Sequence, residues 1–263
     1  MARPKKPARR KSIRSKQPPR LNEPAPHDLE PRSLREQVYD FLRAEMAKGG
    51  LQPGAFLDLN ELAHRIGVSR TPLREALLHL ESQGFVTVLP RRGFQLNELS
   101  LDDIRHFYEI IGALEASALR TVGYTLTPAD FAHMRALDDA MKLAVTARDF
   151  DRYYAANLAF HDAYLERSDN ARLVAQVHLL KQRLYDWPRR ESMMQAWEEH
   201  SIVEHEEFLA LLECGNVEAA ADHLQHVHWS FTVQERYIRA YYFAGTTAAL
   251  LGDTPAPVGV PEP

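Results

Sequence analysis

Two groups of residues have types and spacings that could do chemistry. The first is Arg70 and Arg74, four residues apart, with Thr71 between them and Ser69 just before. Guanidinium forks one helical turn apart suit phosphate oxygens and the O6/N7 edge of guanine. Arg91-Arg92-Gly93 lies a little further on, a pair of cations beside a residue small enough to approach a sugar-phosphate backbone closely. The second group comprises Asn157 and His161, also four apart, then His205, and then His223, His226 and His228 in a short run. An amide oxygen and an imidazole on one helix face, completed by imidazoles from two other helices, could hold a divalent cation with water or an organic acid in its open positions.

These side chains work only if local structure presents them. Asp58 and Glu61 have capping-box spacing for a helix with Leu59, Leu62, Ala63 and Ile66 on its apolar face. Gly67 supplies the following turn, since a residue without Cβ takes positive φ at little cost. Ser69 caps a second helix, and Pro72 sits in its first turn. The stripe Leu73, Ala76, Leu77 and Leu80 faces inward, which turns Arg70, Thr71 and Arg74 away from the core. After Gly84, Phe85 to Leu89 alternates as a strand, residues 90–93 turn, and Phe94-Gln95-Leu96 returns, making a two-stranded wing.

Upstream, Ser33 and Glu36 open a scaffold helix with Leu34, Val38, Phe41, Leu42 and Met46 along one stripe. From Ser100 strand signals vanish, and six amphipathic helices follow at about 101–122, 128–146, 150–167, 170–186, 191–213 and 216–242. Their short connections favour antiparallel packing. The expected fold is mainly α, a winged helix-turn-helix with a small β-wing followed by an all-α bundle. Its parts are a basic disordered tail and linker (1–32), the winged module (33–99), the helical domain (100–245) and a flexible end (246–263).

The net charge of −4 hides a strong asymmetry: nine Lys and Arg precede the first acid, leaving 23 bases against 36 acids in the remainder. Such a one-signed, proline-interrupted tail cannot bury a core. It reads either as an arm adding phosphate contacts or as a solvated extension. No run of about 18 apolar residues offers a membrane span. A single cysteine, Cys214, fits a reducing cytoplasm and excludes an intrachain disulfide. Two alternatives to a DNA-binding sensor are a metal-dependent enzyme with an accessory DNA-binding module and a purely architectural DNA binder. For the enzyme, Glu204 or Glu207 would be the base, yet no HExxH or comparable motif accompanies them.

The string from Gly67 to Ala76, with Leu80-Glu81, Gly84 and Arg92-Gly93, resembles the winged helix-turn-helix of the GntR family of bacterial transcription regulators. The resemblance implies DNA contacts by Arg70, Thr71, Arg74 and the wing around Gly93. Asn60 stands where some members place an Arg, which implies a weaker backbone contact. Residues 100–240 resemble the all-helical FadR-type ligand-binding domain called FCD, which implies a metal, often zinc or nickel, beside a small-molecule cavity. Asn157 would replace the usual Asp of its Asp-x-x-x-His pair, with His161 completing it, and His205 would be the third ligand. The family's spacing to the fourth ligand lands on Val227, so His228 is favoured and His226 is the alternative, one residue being worth a rotation of roughly 100°. Ile111 occupies the place of an Arg that grips carboxylate effectors in many relatives, so an acidic effector needs another cation here. The function implied is that of a cytoplasmic homodimer on a near-palindromic double-stranded operator, a repressor released by a small metabolite.

Overall fold

Apolar side chains at helical spacing build the N-terminal module. Helix α1 (Leu34–Ala47) buries Val38, Leu42 and Met46, α2 (Leu59–Ile66) buries Leu62 and Ala63, and α3 (Arg70–Ser82) buries Leu73, Ala76, Leu77 and Leu80. With Phe85, Val86, Phe94 and Leu96 they form one core. Leu34, expected on the inner stripe, is 50% exposed, being the first residue of its helix. This computed structural model describes residues 32–185 and 194–250. The basic tail, the residues between the helices near 190, and the end beyond 250 lie outside the described residues.

Local signals set the ends of these helices. Asp58 caps α2, its carboxylate accepting from the backbone N–H of Asn60 (2.7 Å) and Glu61 (3.1 Å). Gly67 ends α2 at φ 77°, a conformation that costs glycine little. Ser69 does hold the N-cap position of α3, but contrary to expectation its hydroxyl caps no backbone N–H and is exposed. The wing differs by one element. Strands β2 (Val86–Leu89) and β3 (Gly93–Leu96) are joined by β1 (Phe56–Leu57), giving an antiparallel sheet in the order β1-β3-β2, with Leu57 opposite Phe94 and Val88 opposite Phe94 on the other side. A two-residue strand is too short to show period-two alternation.

The helical region comprises α4 (Leu101–Val122), a 3-10 turn (Gly123–Thr125), α5 (Pro128–Ala147), α6 (Phe150–Leu165), α7 (Ala171–Tyr185), α8 (Gln195–Glu213), α9 (Val217–His223) and α10 (Phe231–Leu250). Reciprocal capping boxes at Ser100/Asp103 and Thr127/Asp130 start α4 and α5. A second core centred on Ile104, Ile111, Leu119, Met134, Phe160 and Phe208 holds the bundle together.

The final helix is where expectation and structure part. In place of one rod from 216 to 242, a π turn (Leu224–His228) follows α9, and the backbone breaks before α10. The turn is closed by Trp229 N–H donating to Leu224 O at 2.8 Å, five residues back. Phe243 departs from helical form (φ −125°, ψ 16°) close to the expected end, and the helix continues to Leu250. No described helix is long and apolar enough to cross a membrane.

Candidate nucleic-acid face and buried imidazole centre

On the N-terminal module, Asn60, Ser69, Arg70, Thr71, Arg74, Arg91 and Arg92 are all exposed and Gly93 is half-buried. The inward stripe of α3 dictates this, since a helix that buries positions 73, 76, 77 and 80 must turn 70, 71 and 74 outward. The Arg74 guanidinium lies 5.9 Å from the Phe94 ring and that of Arg92 lies 5.1 Å from Phe56, so β3 and β1 each steady one cation. Arg92 N–H donates to Leu89 O at 3.0 Å, with Arg91 (φ 63°) and Gly93 (φ 95°) bending the tip tightly.

Inside the bundle, His161 of α6, His205 of α8 and His228 of the π turn converge, one nitrogen from each lying within 4.8 Å of the others. His226 is turned to solvent, which excludes it from the centre and corrects that alternative. The π turn is the reason: its wider spacing takes up one residue, so the inward position falls on His228 rather than one residue earlier. Gly112 on α4 makes room for the turn, because a Cβ there would lie 2.9 Å from that of Trp229.

Carboxylates fix two of these rings. His161 Nδ1 lies 2.9 Å from Glu115 Oε2, and His228 Nδ1 lies 2.9 Å from Glu204 Oε2. A carboxylate only accepts, so each Nδ1 carries a proton and is the donor, which turns each Nε2 away from the carboxylate. His161 Nε2 is buried without a partner, as are both ring nitrogens of His205, which stacks on Phe160 at 4.2 Å. Burial pushes the His161 imidazole down to about 4, against the pull of Glu115, and pushes His205 well below its usual value. Buried imidazole nitrogens without partners on His161 and His205, with carboxylates orienting His161 and His228, make a donor set that suits a divalent cation. Asn157, buried one turn before His161, also has an Oδ1 without a partner.

Glu115 is itself an organising group. Tyr164 Oη (2.6 Å) and Trp229 Nε1 (2.9 Å) both donate to its Oε2, and Lys181 Nζ sits 2.6 Å from Oε1. Burial opposes a charge there, but His161 and the Lys181 ammonium overcome it and hold Glu115 well below the usual carboxylate range. Ile111 is packed in the core, and the buried cation of this region is Lys181 of α7, spent on Glu115. Its signal was present in the sequence, for Lys181 interrupts the buried stripe Val177, Leu180, Leu184 at a core position. A cavity partly open to solvent adjoins the centre and is bordered by Asn157, Glu204, His228 and Trp229.

Taken together, a winged helix-turn-helix and a separate ligand-holding bundle define a DNA-binding regulator with a sensory domain. Residues 34–96 match the family described as bacterial regulatory proteins, gntR family, and residues 106–228 match the FCD domain. The chain belongs to the GntR family of bacterial regulatory proteins, and the relatives it matches are transcriptional regulators. It is 32% identical to the HTH-type transcriptional regulator McbR of Escherichia coli (strain K12) over 148 residues, 56% of this chain and 67% of that protein. Identity to the HTH-type transcriptional repressor RspR of the same organism is 25% over 52% of this chain and 60% of that one. The HTH-type transcriptional regulator BphR of Paraburkholderia xenovorans (strain LB400) is 30% identical over 68% of this chain and 75% of its own. The solved structure of E. coli McbR/YncC superposes with a TM-score of 0.57 at 28% identity, over 82% of this chain and 99% of that one.

Proposed function

We propose that the protein is a ligand-responsive repressor that binds a near-palindromic operator as a homodimer, each protomer placing α3 in the major groove of one half-site. In this reading Arg70 and Arg74 contact base edges and phosphates, Asn60, Ser69 and Thr71 contact the backbone, and Arg91, Arg92 and Gly93 bring the wing to the flanking groove. A metabolite in the aromatic cavity releases the operator.

The observation that carries this reading is the position of α7. Its Tyr185 borders the cavity and its Lys181 pairs with Glu115, while Leu179 packs on the N-terminal core. Arg43 Nη1 of α1 donates to Gln182 Oε1 at 3.2 Å, and the Arg183 guanidinium lies 4.7 Å from Phe107 and 5.9 Å from Phe85. These contacts lie within seven residues, roughly 9 Å of helix, so a ligand that shifts α7 acts directly on the DNA-binding module. A metabolite that raises thermal stability should change operator affinity by the factor by which operator DNA changes its own affinity. A stabilising metabolite with no effect on operator binding would remove ligand control. Arg183→Ala should shrink that factor while each separate affinity stays within about threefold, a loss of roughly 0.5–2 kcal/mol of coupling.

Zinc or nickel would be held by His161, His205 and His228 with Asn157 alongside. When bound, the ion would satisfy the orphaned lone pairs and offer remaining positions to water or the effector. The neutral amide of Asn157 makes the site less negative than an Asp would, which favours weaker retention. Metal content after mild dialysis should approach about one ion per protomer in the wild type and fall at least tenfold in His161→Ala, as loss of a direct ligand demands. Near-zero occupancy in both proteins would end the idea.

A further inference from the structure

We infer that the effector carries a protonated amine, received by Glu198 in the lining of the aromatic cavity. The inference rests on the sensory reading above and gives its ligand a chemical class. Nine of the fifteen described residues bordering the cavity are Phe, Tyr or Trp, and the two acids among them, Glu198 and Glu204, face no Lys or Arg in that described lining.

The two acids differ in what they touch. Glu204 is fully engaged, with His228 on Oε2 and with Gln234 Nε2 at 2.7 Å and His200 at 3.1 Å on Oε1. Glu198 is 6% exposed, yet among the described residues only its Oε1 has a donor, the Met194 N–H at 3.2 Å, and its Oε2 is buried with none. A buried carboxylate oxygen without a donor is costly unless a ligand supplies one. Burial without a cation accordingly pushes Glu198 up to about 7, and an incoming ammonium would restore its charge.

The walls suit the same head group. Trp197 precedes Glu198 directly, stacks on Tyr237 and meets Tyr241 edge-on, while Tyr153 and Tyr154 of α6 border the same cavity. A lining rich in aromatic rings, with an acid and no Lys or Arg among its described residues, favours an ammonium ion over a carboxylate. Trp197 is held by its Nε1–H donating to Gln234 Oε1 at 3.0 Å, and Gln234 donates onward to Glu204. The amine-receiving wall is thereby tied to the imidazole centre, which would sense how the cavity is filled.

The test uses the full-length protein and three probes sharing one ring: 2-phenylethylammonium, 2-phenylethanol and phenylacetate. Affinities are read by calorimetry and by tryptophan fluorescence. The ammonium should bind at least about tenfold tighter than the alcohol, as a charge-assisted hydrogen bond in place of a neutral one allows, and phenylacetate should bind more weakly than both. Glu198→Gln should bring ammonium and alcohol to within about threefold of each other. Phenylacetate binding as tightly as the ammonium, no ammonium binding at millimolar concentration, or a preference that survives Glu198→Gln would each overturn the inference. The wild-type comparison stands without the variant should Glu198→Gln fail to fold. Operator binding measured on the same samples separates the two readings, because intact DNA binding with no amine preference defeats only this one.

Discussion

Glu115→Ala is expected to lower folding stability by about 3–5 kcal/mol, the usual cost of removing one partner of a buried ion pair. The substitution leaves the Lys181 ammonium 2% exposed in the bundle with its counter-charge gone. It also takes the acceptor from His161, Tyr164 and Trp229 together. At about 2–4 °C per kcal/mol for a chain of this size, the melting midpoint should fall by roughly 6–20 °C. The double replacement Glu115→Gln with Lys181→Met should recover most of that loss, since it removes both charges and keeps an amide oxygen for the three donors. Circular dichroism melting of the three proteins decides the matter. A drop below about 1 kcal/mol for Glu115→Ala would mean the carboxylate is not the hub described above.

Arg70→Ala should weaken operator binding by about 1–3 kcal/mol, roughly 5–150-fold, and relax base preference at the position it reads. Because Arg70 is exposed and its helix is held by Leu73, Ala76, Leu77 and Leu80, the melting midpoint should stay put. Arg92→Ala should behave differently, weakening all sequences alike and flattening the salt dependence by about one phosphate contact. Fluorescence anisotropy on labelled operator at several salt concentrations distinguishes the two. An unaltered footprint and affinity for Arg70→Ala would take α3 out of the DNA interface.

The parts of this molecule readable from sequence are those where one residue type at one period has a single outcome. Leu73, Ala76, Leu77 and Leu80 recur at helical spacing and are all fully buried, so the outward aspect of Arg70 and Arg74 followed from the same pattern. The capping acid Asp58 acts where backbone N–H groups are left over at a helix start. Harder to read were features that depend on what another helix brings near. Lys181 stands on the inward stripe of its helix by period alone, but the charge it meets there is fixed only when α4 brings Glu115 beside it. Glu198 has no pattern at all, since its meaning lies in the donor it lacks. Strand β1 was missed because two residues carry no alternation, and its pairing comes entirely from β3.

The wide turn at Leu224–His228 has a consequence for comparing such chains. A π turn is a place where a helix can gain or shed a single residue while both flanking segments stay where they are. Two proteins could therefore superpose all three imidazoles in space and still disagree by one when residues between the second and third are counted. Across this stretch the ruler is elastic, and equivalence has to be judged by which side chain points inward, never by its ordinal distance from His205.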